Sequence, residues 1–595
     1  MRRNALRPLA LAALLALAGP ALAQKIDFGG SNIYMKFLDG DQRKVSVASG
    51  DTTAGTDNGQ WTEFELRMKA TISRQVEAGI RLQSRSPAAY WTDFGGFGGT
   101  EAEAPRASNM KLRGAYVLLT PGYSWLDTAL IGSNDWGQFD PFTVGKVRYI
   151  DRENYKGFYF KGPFVGGGTW SAGRLSLPNY LQSNYGQGAS CCSTDSTQFQ
   201  EATYIAQLKM PLAGWNTTGS YQWFDDHVLD PADTNELNGR DRQTFAKNRV
   251  FMLKTEGSPV NGIDLRAAYY RSEYKAPLFD QPWINSPKSS VNGRAFKLDL
   301  DLSALPVPGL SVNYQYFNIG AGFYSNTAAR HESDVLLTEG NEAAWFKWGD
   351  SLWAGGAAKD YNQGPASPLC HISGGGVCRS SPGLAAGANG LVNNENMDFD
   401  EAPSESVQGW KGHTLVLGYE IAKTPISLEL TRLGYNYNWQ NYSATGPLSN
   451  YYALNNDRKS SIVVFKVSRV FPVLGGLDTG FKYKRVGDKN NGQLSNATDD
   501  RDTTDTGYTF SLGNQLFGDL YGSLSWGRYS RDIIRSGSRI ENEKDILSVR
   551  MTYNLAGLEV GGLAQWITGD GDPTESGTIA DIKQYRMKAF LKAIF

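Results

Sequence analysis

The chain lacks the features that mark helical membrane proteins, metalloenzymes and nucleic-acid-binding proteins. After its first residues it has no run of 18 consecutive apolar residues, which excludes a bundle of membrane-spanning helices. Only 4 His occur, and there is no H-E-x-x-H zinc pair, no G-x-S-x-G elbow and no phosphate-binding loop. The 59 Lys and Arg are balanced by 60 Asp and Glu, which argues against a nucleic-acid partner. We therefore expect no enzyme, no cofactor and no metal site.

Cysteine is scarce too. The 4 Cys all fall in polar stretches that we expect to be exterior loops, namely Cys191, Cys192, Cys370 and Cys378. Two disulfide arrangements are open: Cys370 can bridge to Cys378, or Cys191 and Cys192 can pair with that couple and tie two loops together. Neither couple has the C-x-x-C spacing of a metal site.

The first 23 residues have the composition of a secretory signal peptide. Three arginines precede an apolar run from Leu9 to Ala18, and small residues at 21–23 suit signal peptidase. The run is too short to cross a bilayer, which takes roughly 20 helical residues. We expect cleavage after Ala23, and a single domain over residues 24–595.

The remaining chain has a strong period of two. Phe64, Leu66 and Met68 alternate with Glu65 and Arg67, and the pattern restarts after a short turn. About ten such hairpins recur along the sequence, in keeping with its 67 Gly and its 15 Trp, 30 Tyr and 27 Phe.

The connections between strands alternate in length. Tight turns alternate with long polar stretches such as 86–108, 225–246 and 437–459. A transmembrane barrel shows this alternation, because its periplasmic turns are short and its extracellular loops are long. We predict an all-β fold, a transmembrane antiparallel up-and-down β-barrel of about 22 strands, within a range of 18–24. A secreted soluble all-β protein, with one wet face to each strand, is the alternative.

The last strand is the most specific feature. Tyr585, Met587, Leu591 and the final Phe595 share one apolar face. This strand resembles the terminal strand of Gram-negative outer-membrane β-barrel proteins, a class that includes porins. The resemblance implies recognition by the barrel-assembly machinery, a location in the cell outer membrane, and contact with outer-membrane lipid and lipopolysaccharide.

The polar strand faces suggest a charged lumen. Strand closure would gather a basic sector consisting of Lys36, Arg67, Lys69, Arg81, Arg85, Lys111, Arg113, Arg586, Lys588 and Lys592. An acidic sector would lie opposite, on the strands or the following loop, and consists of Asp264, Asp299, Asp301, Glu332, Asp334, Glu339 and Glu342. We predict a transverse field that orients dipolar solutes, resembling the eyelet of general porins. The alternative is that any barrel places polar residues inside, and that the clustering is chance.

Residues 318–410 are too long for an ordinary connection, since loops beyond about 15 residues are usually functional or disordered. This long loop is the candidate constriction of the lumen; the alternative is a solvated extracellular flap. The stretch 131–160, which contains G-S-N-D-W-G-Q-F-D-P-F, also stands out, without an assigned role.

These patterns favour a porin-like channel for passive diffusion of small hydrophilic solutes. The first strand is expected soon after the cleavage site, which leaves no room before it for the plug domain of TonB-dependent transporters. Two other functions stay open: a structural sheath for a multihaem cytochrome in an electron conduit, and an alginate-export-like barrel for an anionic polysaccharide.

Overall fold

The described part of the chain is built almost entirely from β-strands. The computed structural model describes residues 28–47, 50–52, 62–86, 111–133, 136–144, 156–176, 202–225, 247–275, 290–303, 305–320, 323, 325, 410–435, 459–490, 501–535, 537–571 and 580–594. The first twelve strands are β1 (Asn32–Val47), β2 (Gly50–Thr52), β3 (Thr62–Ser73), β4 (Val76–Ser86), β5 (Lys111–Leu119), β6 (Thr128–Ser133), β7 (Lys156–Phe164), β8 (Gly168–Ser176), β9 (Ala202–Leu212), β10 (Trp215–Asp225), β11 (Lys247–Val260) and β12 (Ile263–Lys275). The others are β13 (Ser290–Leu302), β14 (Leu310–Ile319), β15 (Trp410–Ile421), β16 (Thr424–Tyr435), β17 (Lys459–Phe471), β18 (Leu477–Asn490), β19 (Arg501–Phe517), β20 (Leu520–Arg535), β21 (Ser538–Leu555), β22 (Leu558–Gly571) and β23 (Ala580–Ile594).

The strands close into one antiparallel barrel. Each long strand pairs with the next along the chain, and β1 pairs with both β3 and β23. The three-residue β2 folds back antiparallel against the end of β1, beyond the part that pairs with β3, so the ring itself contains 22 strands, and the predicted fold is confirmed. A circular ring of 22 strands, spaced about 4.8 Å and tilted about 40°, would measure about 44 Å across.

The connections alternate in length, as predicted. One end of the barrel, the turn end, carries tight hairpins such as Ala213–Gly214, Ala422–Lys423 and Ala556–Gly557, with positive φ at both residues of each pair. These are two-residue turns whose twist matches that of the strands they join. The other end, the loop end, carries the long connections, with one exception: only residues 536–537 separate β20 from β21.

Several strands are longer than their hydrophobic patterns predict. β1 continues to Val47, although its sequence turns polar at Asp39, and β18 continues to Asn490. The backbone ladder needs no apolar side chains once the strand has left the lipid, so the pairing persists where alternation fades. A bulge between Lys36 and Leu38 also shifts the side-chain parity of β1.

The outer surface is apolar and rich in aromatic residues. Across β19–β23 the register aligns Phe510, Trp526, Leu547, Trp566 and Tyr585, which are 46%, 45%, 39%, 40% and 50% exposed. Such a band on a closed barrel is a lipid-facing surface with an aromatic girdle, the surface of a protein of the Gram-negative outer membrane. Among the described residues, no helix is both long enough and apolar enough to cross a bilayer.

Candidate functional site in the barrel lumen

A segment after β6 lies inside the barrel. Residues 136–144, here called the inward segment, press Trp136, Phe139 and Val144 against the inner wall of β5–β9. Trp136 is fully buried, and the Phe139 ring meets Tyr159 edge-on at 5.5 Å between ring centroids. The wall residues that receive these three are apolar although they face the lumen, and they are Leu130, Tyr159, Leu175 and Ile205, with Tyr116 and Leu118 beside them.

One glycine permits this close approach. A Cβ atom on Gly173 of β8 would lie 3.1 Å from the Phe139 ring and 3.3 Å from Ile205. The absence of a side chain there lets the Phe139 ring lie against the wall.

The middle of the inward segment is a capped turn. The backbone N–H of Phe142 donates to Asp140 Oδ1 at 2.9 Å, and those of Thr143 and Val144 both donate to the Asp140 carbonyl at 2.9 Å. Pro141 follows the capping aspartate, at a position that favours proline because its fixed φ suits the turn and no N–H is needed. The D-P-F sequence therefore reverses the chain and carries Phe142 away from Phe139.

Phe142 anchors the segment to a second part of the wall. Its ring is fully buried, 5.1 Å from the Tyr270 ring of β12 and 6.1 Å from the Phe323 ring. The Tyr270 hydroxyl donates to Asp140 Oδ1 at 3.0 Å. The Lys297 ammonium lies 5.4 Å from the centroid of the Phe142 ring, a cation–π contact. The inward segment thus joins the wall of β5–β9 to that of β11–β14.

The long connection after β14 begins at this site. Phe323 and Ser325 are fully buried, and the Ser325 hydroxyl lies 2.9 Å from the Thr143 carbonyl and 3.3 Å from Gln222 Oε1. Residues 326–409 lie outside the described residues, so the constriction expected from the 318–410 loop stays a prediction. No role was predicted for the inward segment from the sequence. The signals present there were its aromatic residues and the turn-forming pair Asp140 and Pro141.

The predicted basic residues of β3 and β4 lie close together beside acidic partners. Glu65 is 3% exposed and is ion-paired with both Arg67 and Arg81, the latter at 3.2 Å. Lys69 pairs with Glu77 at 3.0 Å. Much of the positive charge expected in this sector is therefore compensated locally.

Register positions locate the other basic residues near the seam. Lys36 lies opposite Phe590 and Glu63, and Lys592 lies opposite Tyr34. Because of the bulge in β1, Asp39 lies opposite Lys588 and Asp41 opposite Arg586. The bulge thus adds two acidic positions, Asp39 and Asp41, to a sector that the sequence pattern predicted to be almost wholly basic.

Farther from the seam, Arg85 lies opposite Glu63 and Lys111 lies opposite Gln83, whereas Arg113 falls at an irregularity in the β4–β5 register.

Three predicted acidic residues are brought together on β12 and β13. Asp264 lies directly opposite Asp301, and Asp299 accepts a hydrogen bond from Gln315 Nε2 at 2.6 Å. In the closed ring these two strands are half-way round from the seam of β1 and β23. Glu332, Asp334, Glu339 and Glu342 lie outside the described residues, as do the four cysteines, so the full transverse field stays a prediction.

Further basic side chains line the inner wall between these sectors. Lys466 pairs with Glu429 at 3.5 Å, and the register places Lys482 opposite Lys466. The Lys544 ammonium lies 5.6 Å from the centroid of the Tyr529 ring. The sequence did not single out these lysines, because a lone lysine on an alternating strand has no distinctive local pattern.

A buried ion pair lies on β19 and β20. Arg531 and Asp505 are 3% and 0% exposed, and two bonds of 2.6 and 2.8 Å join them. Such a bidentate pair fixes both side chains, because the planar guanidinium matches the two carboxylate oxygens. It holds this part of the inner wall in one arrangement.

His413 lies on the lipid side. The His413 ring lies 5.1 Å from Tyr316, and its Nδ1 is 2.6 Å from the Tyr314 hydroxyl. Both tyrosines share the outward face of β14, because the intervening Gln315 and Phe317 are buried inside. Among the described residues there is no cluster of three or more His, Cys, Asp or Glu side chains that would hold a metal ion.

Neither a known protein family nor a curated protein matches the sequence. Among solved structures, the PapC translocation pore of the P pilus usher is similar over 95% of this chain and 99% of its own, at 8% identity and a TM-score of 0.35. OccAB2 of Acinetobacter baumannii is similar over 95% and 97%, at 7% identity and a TM-score of 0.32. The anion-selective porin of Comamonas acidovorans is similar over 74% and 96%, at 9% identity and a TM-score of 0.27. Likeness of this degree transfers no substrate or activity to this chain.

Proposed function

We propose that the chain is a passive outer-membrane channel for small hydrophilic solutes, narrowed by the inward segment. The observation that carries this proposal is the double anchorage of residues 136–144, on β5–β9 through Trp136 and on β11–β14 through Phe142. A barrel of 22 strands is wide, so a channel that discriminates between small solutes needs such a narrowing.

The solute class follows from the charges of the inner wall. Ion pairs such as Arg81 with Glu65 and Lys466 with Glu429 line the lumen, and Asp264, Asp299 and Asp301 lie opposite the seam. Fixed charges of both signs favour hydrated, dipolar solutes and disfavour apolar ones. This supports sugars, amino acids and small organic ions as the cargo.

Single-channel conductance of the purified protein in planar bilayers tests the proposal. Replacing residues 136–144 by a glycine–serine segment of equal length should raise the open conductance. The matched control replaces the exposed turn 472–476, outside the lumen, in the same way and should leave the conductance unchanged. Deleting residues 330–400 tests the long loop separately. An absence of conductance in every form would contradict the channel and favour the cytochrome sheath.

Export of an anionic polysaccharide is the second candidate. The neighbouring lysines Lys466, Lys482 and Lys484 on the inner wall favour it. Alginate oligomers should then block the current at concentrations at which neutral dextrans of equal size have no effect. Equal block by both polymers would argue against it.

We also propose the steps by which the protein reaches the membrane. Removal of residues 1–23, which lie outside the described residues, would leave Gln24 as the first residue of the mature chain, as N-terminal sequencing can establish. Recognition of β23 by the barrel-assembly machinery is supported by the outward Tyr585 and Met587, which are 50% and 55% exposed. We propose that the protein has no catalytic activity.

A further inference from the structure

Two arginines on the lipid side of the barrel lie directly opposite each other. Arg271 of β12 pairs in register with Arg294 of β13, and both side chains are exposed. They point outward, because the adjoining Tyr270 and Ala295 are each 1% exposed and face the interior. Directly opposed like charges destabilise a sheet unless something neutralises them.

Within the described part of the chain, neither guanidinium has an ion-pair partner. The nearest acidic position on this face is Glu273, one register pair farther toward the loop end, opposite Arg249 and Asn292. Two adjacent positive charges are therefore presented together at the upper edge of an outward face that is apolar from there to the turn end.

The arginines border a groove of about 510 Å³. Tyr269 and Phe296, a cross-strand aromatic pair, line it on the turn side, and Asn292 lines it on the loop side. Gly320, whose backbone N–H donates to the Arg294 carbonyl at 2.8 Å, lines a further edge. The groove thus combines charged and amide donors above with aromatic rings below.

The height of the groove matches the edge of the hydrocarbon layer. Below the arginines, the outward face of β13 carries Phe296, Leu298, Leu300 and Leu302 down to the turn end. Eight residues of strand, at about 3.4 Å each and a tilt of about 40°, put Arg294 roughly 21 Å above Leu302, near the top of an apolar band about 25 Å tall. The phosphates of an outer-leaflet lipid lie at this level.

We propose that Arg271 and Arg294 bind a phosphate of outer-leaflet lipopolysaccharide. The guanidinium fork matches phosphate oxygens in geometry and charge, and binding relieves the repulsion between the two arginines. The acyl chains of the lipid lie along the apolar face of β12 and β13. This site is independent of the channel function.

The test is native mass spectrometry of the detergent-purified protein with bisphosphorylated lipid A. The double variant Arg271→Gln/Arg294→Gln should bind about thirtyfold more weakly, since each basic residue near an anionic lipid contributes roughly fivefold. The matched control is Arg528→Gln, because Arg528 is also exposed and outward but is paired with Glu543 at 2.5 Å. The affinity of the Arg528→Gln variant for bisphosphorylated lipid A should stay within about twofold of that of the wild type.

Removing the phosphates from the lipid should weaken wild-type binding as much as the double substitution does. Heat-modifiable gel migration establishes that each variant is folded. Equal binding of bisphosphorylated lipid A by wild type and the double variant would overturn the proposal. Displacement of the lipid by millimolar inorganic phosphate would also overturn it, by showing a general anion site.

Discussion

At the residue scale, the Tyr270 hydroxyl makes a polar link between the wall and the inward segment. Tyr270→Phe removes its bond to Asp140, and a hydrogen bond to a charged group contributes about 1.5–3 kcal/mol. We expect brief openings to higher conductance to become about tenfold or more frequent, since 1.4 kcal/mol corresponds to tenfold. Single-channel recordings measure this.

The control is Tyr269→Phe, which removes the same hydroxyl from the neighbouring outward-facing residue. It should leave the recordings unchanged. Identical opening frequencies in both variants would show that the Tyr270 bond does not hold the segment.

Glu65 is the residue on which charge selectivity can be measured most directly. Glu65→Gln leaves Arg67 and Arg81 uncompensated in the lumen. At 10 Å in water one charge changes the energies of an anion and of a cation by about 0.4 kcal/mol in opposite directions, so the anion-to-cation permeability ratio should rise about fourfold. Reversal potentials in a salt gradient report this ratio.

Glu541→Gln removes the same charge from the outside of the barrel, where Glu541 is paired with Arg539 at 2.7 Å. The reversal potential of that variant should not move. A shift of equal size in both variants would mean that Glu65 does not face the permeation path.

At the scale of elements, the inward segment can be displaced without changing its sequence. In Gly173→Val the new Cβ would meet the Phe139 ring at 3.1 Å, and the two added methyl groups would crowd it further. We expect the segment to leave the wall of β5–β9 and the mean conductance to rise. Gly219→Val on β10 is the control, because a Cβ there meets nothing within 4 Å. Unchanged conductance in Gly173→Val would place the narrowing elsewhere.

The same element shows where sequence reasoning reached its limit. Alternation predicted the strands because a strand with one lipid face and one wet face must repeat every two residues. The inward segment has no period, since its turn and its two aromatic anchors depend on walls formed far along the chain, at Ile205 and Tyr270. The change in which residues of β1 face the lumen after Lys36 could not be predicted for a related reason, because a one-residue bulge leaves little trace in the sequence.

At the scale of the whole molecule, barrel closure depends on the seam between β23 and β1. Phe590 stacks on Tyr34 at 6.4 Å between centroids, and Arg550 lies 6.0 Å from the centroid of the Phe590 ring. Gly561 makes room for the ring, because a Cβ there would overlap it. Gly561→Leu should destabilise the closed barrel by about 1–3 kcal/mol.

The folded band on unheated gels should therefore disappear at a lower temperature in Gly561→Leu than in wild type. Gly219→Leu, at an open position, should behave as wild type. Equal melting of both variants would show that the packing around Phe590 is not needed for closure.

The short connection at residues 536–537 has a practical consequence. β20 and β21 are 16 and 18 residues long, and their outward faces carry Arg528 paired with Glu543 and Arg539 paired with Asp532. At a tilt of about 40°, a strand of 18 residues rises about 45 Å along the barrel axis, which is roughly 20 Å more than the height of the apolar band. The β20–β21 hairpin thus projects beyond the membrane as a paired, regular structure. A peptide tag inserted at its tip would be accessible to antibodies at a fixed distance from the membrane.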